Sequence, residues 1–555
     1  MIFNNKFKIK QIVLPLILFI LFLTFYVSIS QNFLNAQDEG VIYHSSKNFI
    51  SQHNFRCPCD QLNIEYKTNV FYDYYCAYKT PTEVYFKQFP STIIFYSTFV
   101  YLFGEKVLFY LSPLFGSLTV VIIFFLSKSI FKSYTASIFS SIILGTSPIF
   151  ANWSSELFSN IPASFFLFAS FLLIINYKSR KNIFFLLIGI CLICMLIVRL
   201  DYIIFIPGII IFIHYHIKEI NIKKKILLIF TLLLFVFPVI NIIAYKDPLY
   251  STYLSPRYME NNSSKGLEDS FDSLNHILLW LSGTKDSIKE FDLSEKITNV
   301  GLHIIGFFKS YWVFPGVYPG LVGLFLLQYK KNENKKFLLL FVAFFVIVIL
   351  FYGNRFTYYG DFENTRSSFF RYLLPLYIYL SIFIGYMFSI LLEQTKNKKM
   401  KIILIAIISI LALCINVDNI TSETYKGITT RNSYRLHDMD RMNEITSLIS
   451  QNTETNEVKI VLNGYVTFKY LNSDILNYST IYHHRFYTDV QRDVVIPLIM
   501  DISKSDYKIF LVSRDEYEDK EIITLLKSTP EIKLNLIKKI DNLVYIYRIT
   551  SGEKQ

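Results

Sequence analysis

The sequence contains no internal repeat, no low-complexity linker and no small-x-small cleavage site behind its first apolar run. The first two absences exclude a repeat array and a string of tethered modules. The third argues against a cleaved secretory leader and leads us to expect an uncleaved first span. Charge is scarce too: 18% of the 555 residues are charged, against 52% hydrophobic and 17% aromatic, and the mean hydropathy is +0.37. Those values exclude an ordinary soluble domain and indicate a polytopic membrane protein. Acidic residues are the scarcer sign, 43 against 55 basic, for a formal charge of +12.

An excess of positive charge can mark a nucleic-acid surface, but its placement here excludes that partner. Twenty of the basic residues fall in six short stretches before or between apolar runs, at 6–10, 128–132, 178–181, 218–225, 330–336 and 396–401. That is the positive-inside pattern of cytoplasmic loops. With these stretches inside, the apolar runs at 12–30, 107–127, 134–150, 157–176, 182–198, 202–217, 226–245, 304–327, 337–352, 372–392 and 400–417 give about eleven crossings. The run at 89–103 is short for a crossing, and counting it would put every later lysine cluster outside. We therefore read it as a juxtamembrane or re-entrant helix returning to the outer face at Gly104-Glu105. The expected arrangement is a plasma-membrane protein with a cytoplasmic N-terminus. Residues 1–417 form the transmembrane domain, including a first external loop at 31–106, and residues 418–555 form an extracytoplasmic domain.

The external domain alternates short apolar runs (VKIVLN at 458–463, YKIFLV at 507–512, LVYIYRI at 543–549) with polar helical patterns at 438–450 and 515–527. That alternation predicts a small α/β fold. Among the six cysteines, Cys191, Cys194 and Cys414 lie in apolar spans and read as small hydrophobes. Cys57, Cys59 and Cys76 lie in the first external loop. Two arrangements fit them: a disulfide from Cys76 to Cys57 or Cys59, or a metal site with His44 and His53.

The ionisable residues outside the lysine loops collect on one face. Asp38 and Glu39 follow the first span directly, and Lys87, Glu156, Arg199, Asp201, Arg366 and Arg371 all fall at the extracytoplasmic ends of spans or loops. Charges gathered at one membrane face read as a site. A carboxylate beside cations at a membrane slot suits transfer of a sugar from a polyprenyl phosphate. A base takes the acceptor's proton, and positive charge stabilises the leaving phosphate. Asp38 fits the first role. Lys87, Arg366 and Arg371 fit the second, arginine being favoured for bidentate phosphate contacts. The same charges suit a transporter of an anionic or lipid-linked substrate. That reading predicts mid-membrane ionisable residues and broken helices in paired halves. A non-catalytic receptor or scaffold, the third reading, demands nothing of Asp38.

Several segments, in order, resemble the GT-C glycosyltransferases of the protein O-mannosyltransferase and aminoarabinose-transferase branch (glycosyltransferase family 39-like). These are the Asp38-Glu39 pair, VYFKQFP at 84–90, LFGEKVLFYLSPLFGSLTVVIIFFLSKSIF at 102–131, GTSPIFANWSSELFSNIPASFF at 145–166, VRLDYIIFIP at 198–207 and FRYLLPLYIYL at 370–380. The family's usual arginine in the 102–131 segment is missing, with Tyr110 or Leu111 nearest, as is the second proline of the last motif. The resemblance implies a GT-C-like helical membrane domain and an inverting displacement with Asp38 as base. It makes Glu39 structural or acceptor-binding, and Glu156 the second acidic position, for acceptor or metal. A divalent cation between Asp38 and Glu156 is compatible with it, and nothing in the sequence requires one. The partners it implies are a polyprenyl-phosphate-linked sugar, an extracytoplasmic acceptor and the bilayer. The oligosaccharyltransferase branch is disfavoured, because its Trp-Trp-Asp motif has no counterpart: Trp153, Trp280 and Trp312 are isolated from one another and none follows residue 417.

Overall fold

A computed structural model describes residues 2–30, 37–56, 76–80, 83–86, 88–177, 182–217, 235, 238–246, 293–310, 314, 316–330, 335–353, 368–395, 447–448, 451, 459–463, 478–482, 508–513, 526–530, 532–540 and 544–551. The chain divides into two compact units. One comprises residues 1–32, 89–250 and 272–430, and the other residues 33–88, 251–271 and 431–555.

The first unit is helical. Its elements are α1 (Ile2–Ile29), α3 (Pro90–Phe103), α4 (Leu108–Phe131), α5 (Tyr134–Thr146), α6 (Pro148–Ser154), α7 (Asn160–Ile175), α8 (Asn182–Val198), α9 (Ile206–His216), α10 (Leu293–Lys309), α11 (Val317–Lys330), α12 (Lys335–Gly353) and α13 (Ser368–Gln394). Among the described residues, three helical stretches are long and apolar enough to cross a membrane: Ile12–Ile29, Glu105–Phe131 and Phe370–Gln394. Seven apolar helices are shorter. The eleven uniform crossings read from the sequence therefore meet a bundle in which several expected spans are broken.

The breaks have local causes. The run at 134–150 was expected as one span, but it is the pair α5 and α6, bent by 66°. Pro148 opens α6 and holds Ser147 extended (φ −64°, ψ 135°), as the residue before proline prefers. The run at 304–327 is likewise divided between α10 and α11, with Pro315 in the gap and Pro319 in the first turn of α11. The run at 202–217 begins as a 3-10 helix, Leu200–Phe205, before α9. The short run at 89–103 is α3, closed by Gly104 at φ 80°. The runs at 226–245 (beyond its few described residues) and 400–417 lie outside the described residues.

Small residues let these helices approach closely, which drives packing where the hydrophobic effect between apolar helices is absent. A side chain at Gly385 in α13 would collide with the Ala136 carbonyl of α5, and one at Gly323 in α11 with the Phe383 carbonyl of α13. Buried serines tie the same seam: Ser127 Oγ donates to Ser140 Oγ (2.8 Å), which donates to the Ile382 carbonyl (3.0 Å).

The second unit begins with α2 (Gln37–Gln52) and an antiparallel hairpin of β1 (Cys76–Thr80) and β2 (Glu83–Phe86). Its remaining strands, β3 (Lys459–Asn463), β4 (Tyr478–Tyr482), β5 (Lys508–Ser513), β6 (Ile532–Ile540) and β7 (Val544–Ser551), form one sheet in the order β4-β3-β5-β7-β6. β3 runs parallel to β4 and β5, and β7 antiparallel to β5 and β6. The three apolar runs noted in the sequence supply β3, β5 and β7. Strands β4 and β6 and the hairpin were not anticipated.

Candidate active site

The end of the first unit where α6, α7, α8 and α13 meet carries most of its described non-lysine charges. Arg199 leaves α8 in an extended conformation (φ −154°, ψ 103°), and Asp201, two residues on, lies in the first turn of the following 3-10 helix. The two form an ion pair: Nη2 donates to Oδ2 at 2.9 Å, and Nε lies 2.7 Å from Oδ1. Both side chains are nearly buried, at 13% and 12% exposure, so the close ion pair and its one charge-assisted hydrogen bond have to offset the loss of hydration.

Arg199 also reaches α7. Its Nη1 donates to Asn160 Oδ1 (2.7 Å) and Ser159 Oγ (3.2 Å). Asn160, fully buried at the first position of α7, is engaged on every side. Its carbonyl accepts from the Tyr202 hydroxyl (3.2 Å), and its Nδ2 donates across to the Arg371 carbonyl in α13 over a longer 3.4 Å. Tyr202 and Ser164 share a further bond of 2.8 Å. Above this layer, Thr92 of α3 donates to the last α8 carbonyl, that of Val198, at 2.9 Å. That bond ties α3 to the residue before the arginine.

Arg371 sits in the opening turns of α13, half-buried on aromatic surface. Its guanidinium carbon is 5.1 Å from the Tyr372 ring centroid, 5.7 Å from Phe158 and 6.0 Å from Trp153, and Nη2 donates to the Tyr372 hydroxyl (3.1 Å). Trp153 and Phe158 pack edge to face at 4.7 Å. They flank the turn between α6 and α7 that carries Glu156, which is buried. The turn is held by its own bond from the Phe158 N–H to the Glu156 carbonyl (2.8 Å) and by Ser112 of α4, whose hydroxyl meets the Phe158 backbone at 3.4 Å. A guanidinium on three aromatic faces keeps its charge with little competition from water, which suits binding of a phosphate.

Arg199, Asp201 and Arg371, all singled out in the sequence, therefore belong to one cluster, with the Glu156 turn against it. Asp38 and Glu39 lie in the first turn of α2 in the second unit, a position that favours acidic residues through the helix dipole. Glu39 is buried, and the side chain of Asp38 lies outside the described residues. Lys87, Arg366, Cys57 and Cys59 also lie outside them, and Cys76 is placed only as the first residue of β1. Among the described residues, no group of three or more His, Cys, Asp or Glu side chains converges to hold a metal ion. Asn160, Tyr202, Tyr372, Trp153 and Phe158 were not picked out individually. Tyr202 and Tyr372 stand directly beside residues that were, and the packing that engages all five comes from helices distant in sequence.

Residues 90–243, from α3 through α9 and beyond, match the family model described as dolichyl-phosphate-mannose-protein mannosyltransferase. The fold is similar to that of ArnT from Cupriavidus metallidurans, solved bound to undecaprenyl phosphate (TM-score 0.57, 9% identity, 97% of this chain and 98% of that one). The apo form of the same protein gives TM-score 0.55 at 10% identity, covering 98% of each chain. An Archaeoglobus fulgidus oligosaccharyltransferase tethered to an acceptor peptide is similar at TM-score 0.51 and 12% identity, over 99% of this chain and 75% of that one. No curated protein matches the sequence.

Proposed function

We propose that this chain, a glycosyltransferase of the GT-C superfamily, moves a sugar from a polyprenyl-phosphate donor to an extracytoplasmic acceptor with inversion of configuration. The observation that carries the proposal is Arg371, a half-buried guanidinium on the faces of Trp153, Phe158 and Tyr372, beside the Glu156 turn. A cation so placed suits the phosphate that a polyprenyl donor leaves behind.

The acceptor oxygen forms a bond to the anomeric carbon while the bond from that carbon to the phosphate oxygen breaks. The acceptor's proton passes to the Asp38 carboxylate. The electron pair of the broken bond stays on the polyprenyl phosphate, whose added charge Arg371, with Lys87 and Arg366, stabilises. Glu39 and Glu156 are left to hold the acceptor, or a divalent cation where one is used. We place the site on the extracytoplasmic face of the cell membrane, with the C-terminal sheet on that side.

Broken helices favour a second reading, a transporter or flippase of a lipid-linked or anionic substrate. The α5/α6 break is its structural support, though neither helix carries an acidic or basic residue. One experiment separates the two. Membranes containing the chain are supplied with polyprenyl-phosphate lipid labelled in its sugar. Transfer predicts label moving to a protein, lipid or glycan fraction. Label that crosses the bilayer still attached to its lipid, with none transferred, overturns the transferase reading.

A further inference from the structure

Two arginines meet in the cluster, and they are not equivalent. Arg199 is committed: its guanidinium nitrogens bond Asp201, Asn160 and Ser159. Arg371 lies on three aromatic faces and donates to the Tyr372 hydroxyl. Two side chains join them. Asn160 accepts from Arg199 and donates to the Arg371 carbonyl. Tyr372 lies 5.5 Å below the Arg199 guanidinium carbon and accepts a hydrogen bond from Arg371 through its hydroxyl.

We propose that Asn160 and Tyr372 are positioning residues: they transmit the fixed Arg199–Asp201 pair to Arg371, one through its backbone and the other through its guanidinium. Arg199 and Asp201 then set the geometry of the phosphate site without touching the phosphate. The physical case is that a cation meant to meet a charge developing on a leaving group must be held before the reaction begins. The carbonyl bond from Asn160 holds the turn of α13 that bears Arg371, and the Tyr372 hydroxyl accepts from its guanidinium. Asn160 is itself clamped from both sides, by Arg199 on Oδ1 and Tyr202 on its carbonyl, so it can hold a neighbour in place.

This inference rests on the donor-phosphate role given to Arg371, so the test needs one readout independent of the lipid. Trp153 supplies it, because Arg371 sits over its ring and the chain holds only three tryptophans. In full-length protein carrying Trp280→Phe and Trp312→Phe, the emission of Trp153 reports the place of Arg371. The affinity for undecaprenyl phosphate is measured in parallel. Tyr372→Phe, which removes one hydroxyl and keeps the ring, should shift the emission in the direction of Arg371→Ala and weaken lipid binding about fivefold; Asn160→Ala should do the same more strongly. Neither should add to Arg371→Ala when combined with it, whereas a merely structural loss would multiply with it.

Emission and affinity unchanged in Tyr372→Phe and Asn160→Ala, with Arg371→Ala altering both, would overturn the relay and leave the donor reading standing. Emission that follows the relay in a protein with no affinity for undecaprenyl phosphate would leave the relay standing and remove the phosphate from Arg371. Should Asn160→Ala fail to fold, the Tyr372→Phe comparison decides alone.

Discussion

Arg199 and Arg371 approach the same ring, that of Tyr372, with guanidinium carbons 5.5 and 5.1 Å from its centroid. Asp201 lies against Arg199. On our reading Arg371 also meets the phosphate carried by the substrate. This asymmetry organises the site and sets the expectations for its variants.

If Arg371 meets the donor phosphate as proposed, Arg371→Ala should raise the KM for the lipid donor about tenfold or more while leaving acceptor KM within about twofold. Arg371→Lys should restore only part of the loss, since an ammonium offers a point charge without the planar fork that lies on Trp153, Phe158 and Tyr372. Steady-state rates with donor and acceptor varied separately check both. An unchanged donor KM in Arg371→Ala would take the residue out of the phosphate site.

Asp201→Asn should chiefly destabilise. The pair is nearly buried, and removing one partner leaves Arg199 charged among groups that cannot fully replace a carboxylate. Breaking such pairs costs on the order of 3 kcal/mol. The expected result is a lowered thermal midpoint in detergent or nanodiscs, with Asp201→Ala lower still. A midpoint equal to wild type would mean that the pair contributes little.

The helix seams predict a contrast in size. Gly385→Ala places a methyl group against the Ala136 carbonyl, backbone that cannot turn aside, so α5 and α13 must separate. A loss of roughly 1–3 kcal/mol follows from overpacking of this kind. Ser140→Ala, in the same seam, removes a hydroxyl that bonds Ile382 and Ser127. Interhelical hydrogen bonds in membranes are worth about 0.6 kcal/mol on average. Thermal midpoints of the two variants should therefore rank Gly385→Ala well below Ser140→Ala, and the reverse order would mean that polar ties dominate the seam.

How far the sequence discloses this structure depends on whether the signal is local. The runs that became β3, β5 and β7 were legible because apolar residues bounded by polar ones are a strand's own signature. YSTIY of β4 and IKLNLIKKI of β6 hid because short or lysine-rich strands look like loop or helix. The break at Ser147-Pro148 is encoded in the proline, yet mean hydropathy runs smoothly through it. The polar stretch after the first span drew attention for its carboxylates, while the α2 helix around them is only weakly amphipathic. At the site, Arg199, Asp201 and Arg371 were legible as charges where charge is costly. Their division of labour was not, because it depends on Asn160 and Tyr372, which become informative only once α7, α8 and α13 are packed together.

Asp38→Asn is the variant on which the chemistry turns. Asn keeps the size and hydrogen-bonding capacity of the side chain but cannot take a proton from the acceptor. Transfer should fall by about 10²–10⁴-fold, the usual contribution of a general base, with kcat and kcat/KM falling together because the interaction belongs to the transition state. Stability should change little: one dipole-favoured charge in the first turn of α2 is worth about 0.3–1 kcal/mol. On the proposed reading, affinity for a polyprenyl-phosphate donor should stay near wild type, since the cations and not Asp38 hold its phosphate. Glu39→Gln is the necessary companion, for the buried neighbour should cost stability as well as rate, whereas Asp38→Asn costs rate alone. Labelled-sugar transfer and thermal midpoints on both variants separate the outcomes. Full turnover in Asp38→Asn would end its assignment as the base, and full turnover in Glu39→Gln alone would leave Asp38 as the one carboxylate of the pair that the reaction needs.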